Sequence, residues 1–106
     1  MVIKSTQQQA QAGLAQARQH INALDQQIAA LLAERFETVD EIARLKQAAQ
    51  VPVKNQAREA QVLDQVADAI GSDQLAPHAR KIFVTIMAES RAYQTQKINA
   101  ETSEDN

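Results

Sequence analysis

Two cationic side chains interrupt an apolar pattern in the first half of the chain. The apolar residues of this pattern follow the three-and-four spacing of one helical face: Ile21, Leu24, Ile28, Leu31, Val39 and Ile42. Arg35 and Lys46 continue that spacing and are eleven residues apart. At about 100° per residue they return to within about 20° of one face, with Cα atoms roughly 16 Å apart. Two such long side chains can lean together and hold a small dianion between them.

A third cationic side chain lies on another side of the same segment. Arg18 is seventeen residues before Arg35, which places it about 100° round a helix. It is poorly placed for the same site within one subunit. We therefore expect Arg18 to serve the site of a twofold-related partner.

Polar residues also continue the apolar stripes of two later segments. Glu59 lies one turn before the apolar stripe of residues 63–70, and Arg58 is beside it. Ser90 and Gln94 are four residues apart, share a helical face and extend the stripe of their own segment. Each residue alone has a structural explanation, such as a surface charge or a complement to a helix dipole. Their joint placement favours a polar, mostly cationic binding site.

The elements that carry these residues are predicted to be helices, and the fold class is all-α. The first segment, 14–50, contains no proline or glycine, and as a helix it would be roughly 55 Å long. A globule of this chain length has a radius of gyration of only about 13 Å. One subunit cannot cover such a helix, so we expect three helices with a very long first helix, in an intertwined homodimeric helical bundle.

Proline, glycine and capping residues mark the helix ends. Pro52 stops the first helix within a connector over 47–54, and Asn55 is a favourable N-cap for the second helix, which ends before Gly71. Pro77 suits the first turn of the third helix, which extends towards Lys97. The predicted organisation is an N-terminal extension over 1–13, flexible or a frayed helix, a helical domain over 14–98 and a polar tail over 99–106.

Composition narrows the classes of function. The net charge is −2 and no cysteine is present, so we expect no nucleic-acid partner, no membrane partner, no thiolate metal site and no cysteine nucleophile. The histidines are not clustered in a way that would indicate a metal site, and we predict no cofactor. No apolar targeting segment is visible, and the cytoplasm is the expected location.

The chain resembles the all-helical chorismate mutases from about Leu14 to Gln96. The resemblance rests on three stretches: the run from Arg18 through Asp25, Leu31-Leu-Ala-Glu-Arg35 and Lys46; the connector Val51-Pro52-Val53 with Arg58-Glu59; and Ser90 with Gln94. Their order and spacing agree with the family across three helices. This resemblance implies the rearrangement of chorismate to prephenate in aromatic amino-acid biosynthesis, without a cofactor.

The resemblance also implies a role for each matching residue. Arg35 would bind one substrate carboxylate, and Arg18 would reach the other from the partner subunit of the homodimer. Lys46 and Gln94 would contact the ether oxygen, and Glu59 would hold the ring hydroxyl. The remaining substrate-binding positions would be Arg58, Ser90 and Asn55. The family often has an aspartate where this chain has Asn55, a position that contacts the hydroxyl at least partly through its backbone amide.

These residue types suit a rearrangement that needs binding and charge stabilisation but no nucleophile. Two alternatives remain at this point. An isochorismate pyruvate lyase would share the fold and the cationic clamp, although those lyases are expected to have an apolar residue in place of Glu59. A non-catalytic helical dimerisation or regulatory module would need no matched set of polar residues.

Overall fold

The computed structural model describes residues 5–104, with side chains to residue 101, and contains three α-helices in that range. They are α1 (Thr6–Ala49), α2 (Gln56–Ile70) and α3 (Ala76–Glu104). Helix α1 is 44 residues long. The predicted all-α class, the three helices and the very long first helix are confirmed.

The outer ends of α1 and α3 differ from the predicted ones. Helix α1 begins at Thr6 rather than near Leu14, because Ser5 and Gln8 form a capping box. The Ser5 hydroxyl oxygen accepts from the Gln8 amide at 3.1 Å, and the Gln8 side chain accepts from the Ser5 amide at 3.3 Å. Helix α3 continues to Glu104, into the segment expected to be a polar tail. Residues 1–4 and 105–106 lie outside the described range.

A Schellman motif ends α1 before Pro52. Gln50 adopts a left-handed φ of 58°, its amide donates to the Gln47 carbonyl at 3.2 Å, and the Val51 amide donates to the Lys46 carbonyl at 3.0 Å. These two bonds satisfy carbonyls that the end of a helix leaves without partners. The motif therefore fixes the last turn of α1, which carries Lys46.

Helix α2 has the predicted caps, and it packs against α3. The Asn55 side chain accepts from the Arg58 amide at 3.0 Å, and Gly71 follows the helix with a left-handed φ of 66°. Pro77 lies in the first turn of α3, as predicted.

The chain divides into two units, Met1–Arg35 and Phe36–Asn106. In the first unit, residues 5–31 are all exposed. The second unit has a small apolar core of Val39, Ala43, Ala79 and Met87. Beside it, Phe36 and Tyr93 form an edge-to-face pair with ring centroids 5.3 Å apart. None of the described helices is both long enough and apolar enough to span a membrane.

Candidate active site

Lys46 connects three parts of the second unit. It lies in the last turn of α1, and its ammonium donates to the Val53 carbonyl of the connector at 2.5 Å. It also donates to Gln94 Oε1 on α3 at 3.0 Å. An ammonium has three N–H donors, so these bonds leave one for a ligand.

Gln94 offers a second donor. The residue is 5% exposed, and Oε1 accepts from Lys46. Among the described residues, every buried side-chain nitrogen or oxygen has a hydrogen-bond partner. The Gln94 amide nitrogen has no such bond within the described part of the chain, so it must retain accessible surface. A ligand beside α3 can therefore accept a hydrogen bond from this nitrogen.

Ser90 lies one turn before Gln94 and is also 5% exposed. Its hydroxyl donates to the Ile86 carbonyl at 2.7 Å, four residues earlier in the same helix. This bond lets a polar side chain stay inside the helix pair, and it sets the direction of the hydroxyl.

Glu59 forms an ion pair that sequence reasoning missed. Arg91 Nη1 on α3 lies 2.6 Å from both carboxylate oxygens of Glu59 on α2. The side chains are 23% exposed for Glu59 and 29% for Arg91. A signal was available, because Arg91 is four residues after the buried Met87 and one turn before Gln94. Arg91 was missed because the apolar stripe of α3 was extended through Ser90 rather than through Arg91.

Asn55 and Arg58 lie at the exposed start of α2. Arg58 donates to the Gln61 side chain at 2.8 Å, and Asn55 caps the helix through the Arg58 amide. The structure thus joins Lys46 to Gln94 and Glu59 to Arg91 by direct bonds, and it pairs Asn55 and Arg58 locally.

The remaining two predicted residues belong to the first unit. Arg18 is exposed and Arg35 is partly buried, both on α1. Their participation in the site stays a prediction.

The electrostatics of the second unit centre on Lys46. Burial lowers the pKa of this ammonium below the ordinary 10.5, and the negative charge of Glu59 acts in the opposite direction. The cluster therefore presents N–H donors from Lys46 and Gln94 and a carboxylate held by Arg91. Such a set suits a ligand that carries negative charge and also a hydroxyl. Within residues 5–104, no group of three or more His, Asp or Glu side chains could hold a metal ion.

Comparison with known protein families identifies the family of this chain. Residues 17–95 match the model of the chorismate mutase type II family. The match covers most of the 106 residues, including all of α2 and the greater part of α1 and α3. The chain belongs to this family. A comparison with curated proteins gave no significant match.

The opposing effects on Lys46 give a test of the site geometry. The pKa of Lys46, followed by NMR of its side-chain nitrogen, should lie below 10.5. Glu59→Gln should lower this pKa further, because it removes the charge that favours the ammonium. Raising the pH through the lowered pKa should leave the helical circular dichroism intact. The unfolded chain holds this proton more tightly, so its loss from the folded state does not weaken the fold. A Lys46 pKa at or above 10.5 would contradict the burial of this group.

Proposed function

We propose that this protein is a chorismate mutase that converts chorismate to prephenate. The observation that carries the proposal is the Lys46–Gln94 pair, in which a held ammonium and a held amide each keep a donor for one ligand. Membership of the chorismate mutase type II family supports the same reaction. The cytoplasm and the pathway of aromatic amino-acid biosynthesis remain predictions.

In the proposed site the charged residues bind the two carboxylates of chorismate. From the family resemblance, Arg35 binds one carboxylate, Lys46 also contacts a carboxylate, and Arg18 of a second subunit binds the other. Each charge-assisted contact is worth about 1.5–3 kcal/mol. Together they hold the flexible enolpyruvyl side chain folded over the ring, which brings the reacting atoms together.

The remaining residues orient the ring. Glu59 accepts a hydrogen bond from the ring hydroxyl, and the backbone amide of Asn55 contacts the same group. Arg58 and Ser90 complete the polar wall. Arg58 donates to Gln61 through Nη1 alone, which leaves other guanidinium donors for the substrate.

The reaction is a rearrangement within one molecule. The C–O bond to the ether oxygen breaks, a C–C bond forms, and nothing is added or lost. Because bond breaking runs ahead of bond formation, negative charge grows on the ether oxygen. Donors from Lys46 and Gln94 directed there stabilise the transition state more than the bound substrate.

Product analysis with chorismate and with isochorismate tests the proposal directly. We expect prephenate from chorismate, and no release of pyruvate from isochorismate. Pyruvate from isochorismate without prephenate from chorismate would establish the lyase instead. No turnover of either compound by the folded protein would favour a non-catalytic helical module.

Gln94→Glu tests the role of the ether-oxygen donor. A glutamine amide donates at every ordinary pH, whereas a carboxyl group donates only when protonated. The variant should be active at low pH and should lose activity as the pH rises through the pKa of the new carboxyl. Burial of this position would raise that pKa and the Lys46 ammonium, 3.0 Å from the native oxygen, would lower it. The expected result is therefore a loss of activity with rising pH, at whatever pKa these two effects together give.

The wild type is the control for this experiment, and it should show no such loss over the same range. The measurement is kcat/KM against pH for both proteins. A variant whose profile parallels the wild type would remove Gln94 from the ether-oxygen role and leave Lys46 as the proposed donor.

We further propose that the active unit is a homodimer. Residues 5–31 of the first unit are exposed. They carry an apolar stripe with successive spacings of seven, three, four and three residues: Leu14, Ile21, Leu24, Ile28 and Leu31. This spacing suits packing against another long helix. A second copy of the chain supplies such a helix, and it would bring its Arg18 to the site.

Mixing two inactive variants tests the shared site. In a dimer of one Arg18→Ala chain and one Arg35→Ala chain, one of the two sites has both arginines. After random exchange of subunits, about a quarter of all sites should be intact, and a comparable fraction of wild-type activity should return. Exchange is verified by native mass spectrometry with one chain isotope-labelled.

The matched control mixes Arg35→Ala with a chain that carries both substitutions, since no combination of these chains restores a site. If exchange occurs and the Arg18→Ala and Arg35→Ala mixture stays as inactive as this control, the shared site is wrong.

A further inference from the structure

We propose that Arg91 is a positioning residue that holds the Glu59 carboxylate in the orientation needed to accept the substrate's ring hydroxyl. This inference rests on the proposed function. Its observation is the pair of 2.6 Å contacts from a single Arg91 nitrogen to both oxygens of Glu59.

The two contacts restrain a side chain that otherwise has several rotamers available. The χ1 and χ2 torsions of a glutamate each have staggered wells, and a change of well moves the whole carboxylate. Arg91 Nη1 lies 2.6 Å from both oxygens, so such a change of χ1 or χ2 would break both contacts. Glu59 is anchored on α2 and Arg91 on α3. The packing of these two helices therefore sets the orientation of the carboxylate.

Arg91 also leaves Glu59 able to bind a ligand. An ionised carboxylate has about four acceptor positions on its two oxygens, and the contacts with Arg91 use one on each. The Glu59 side chain keeps 23% of its surface, enough for a hydroxyl to approach. The guanidinium in addition offsets the negative charge of Glu59, which would otherwise repel a dianionic substrate.

A second ion pair between the same helices provides a comparison for the Glu59–Arg91 pair. Arg80 on α3 contacts Asp64 on α2 at 3.2 Å, and their side chains are 43% and 74% exposed. The Glu59–Arg91 pair is shorter and more buried, at 23% and 29%. Taking a charge pair out of water is a poor way to stabilise a fold. A positioning role explains why this pair lies in the partly buried region of Lys46, whose pKa responds to Glu59.

A double-mutant cycle in the full-length protein tests the inference with chorismate as the substrate. Arg91→Met keeps the length and packing of the side chain but removes its donors. It should lower kcat/KM by about tenfold or more, the effect of losing a charged hydrogen bond. In a Glu59→Ala background there is no carboxylate to position, so the same substitution should change kcat/KM by less than about twofold. Arg91→Lys, which keeps a charged donor, should recover part of the loss.

Arg80→Met is the matched control, because it removes the other ion pair between α2 and α3. It should leave kcat/KM unchanged, and thermal unfolding should show whether either methionine variant weakens the fold. If Arg91→Met is unstable, Arg91→Lys is compared with Arg91→Leu, which also lacks a donor, at a temperature where both are folded.

The outcomes separate the inference from the proposed function. A folded wild-type protein that forms no prephenate would overturn both. An active wild type with unchanged kcat/KM in Arg91→Met would overturn the positioning role alone. An equal loss from Arg91→Met with and without Glu59 would also overturn it, because Arg91 would then act on the substrate independently of Glu59.

Discussion

The hydrogen bonds of the Lys46 ammonium are the interaction on which the candidate site depends. Removing an ammonium from water is unfavourable, and the lowered pKa of Lys46 reflects that burial. The Val53 carbonyl and the Gln94 amide oxygen offset part of the penalty. The same two bonds join the end of α1 to the connector and to α3. The position of the charge and the arrangement of the elements around it are therefore fixed together.

Gln94 and Glu59 are held in the same way, because each uses only part of its hydrogen-bonding capacity within the protein. The side-chain oxygen of Gln94 accepts from Lys46, and its amide nitrogen can donate to a ligand. Each carboxylate oxygen of Glu59 accepts from Arg91 and keeps a further acceptor position. In each case the protein holds one part of a polar group, so the other part would need no reorientation to bind the proposed substrate. Groups oriented in advance stabilise a developing charge better than groups that must first reorganise.

The sequence predicted the helices better than the contacts between them. Asn55, Gly71 and Pro77 act locally, so the ends that they mark were predictable from neighbouring residues alone. The early start of α1 also had a local signal, the Ser5 and Gln8 capping box, which was overlooked. The left-handed Gln50 had none, because glycine usually fills that position. Periodicity placed Glu59 on one face of α2, but pairing it with Arg91 required the register of α2 against α3, which depends on packing of the whole side-chain set.

The polar residues of the candidate site reduce the apolar core of the second unit, and the proposed dimer would restore apolar burial elsewhere. Ser90 and Gln94 are buried in α3, at positions where apolar side chains would otherwise extend the core of the second unit. What remains apolar and buried is small, with two alanines among its four residues. Meanwhile Leu31 is 63% exposed and Ile28 is 54% exposed in the first unit. Covering such side chains contributes about 25 cal/mol per Å² of apolar surface. A second copy along α1 would therefore supply the burial that the polar residues of the site displace, so the stability of the fold and the shared site would depend on the same interface.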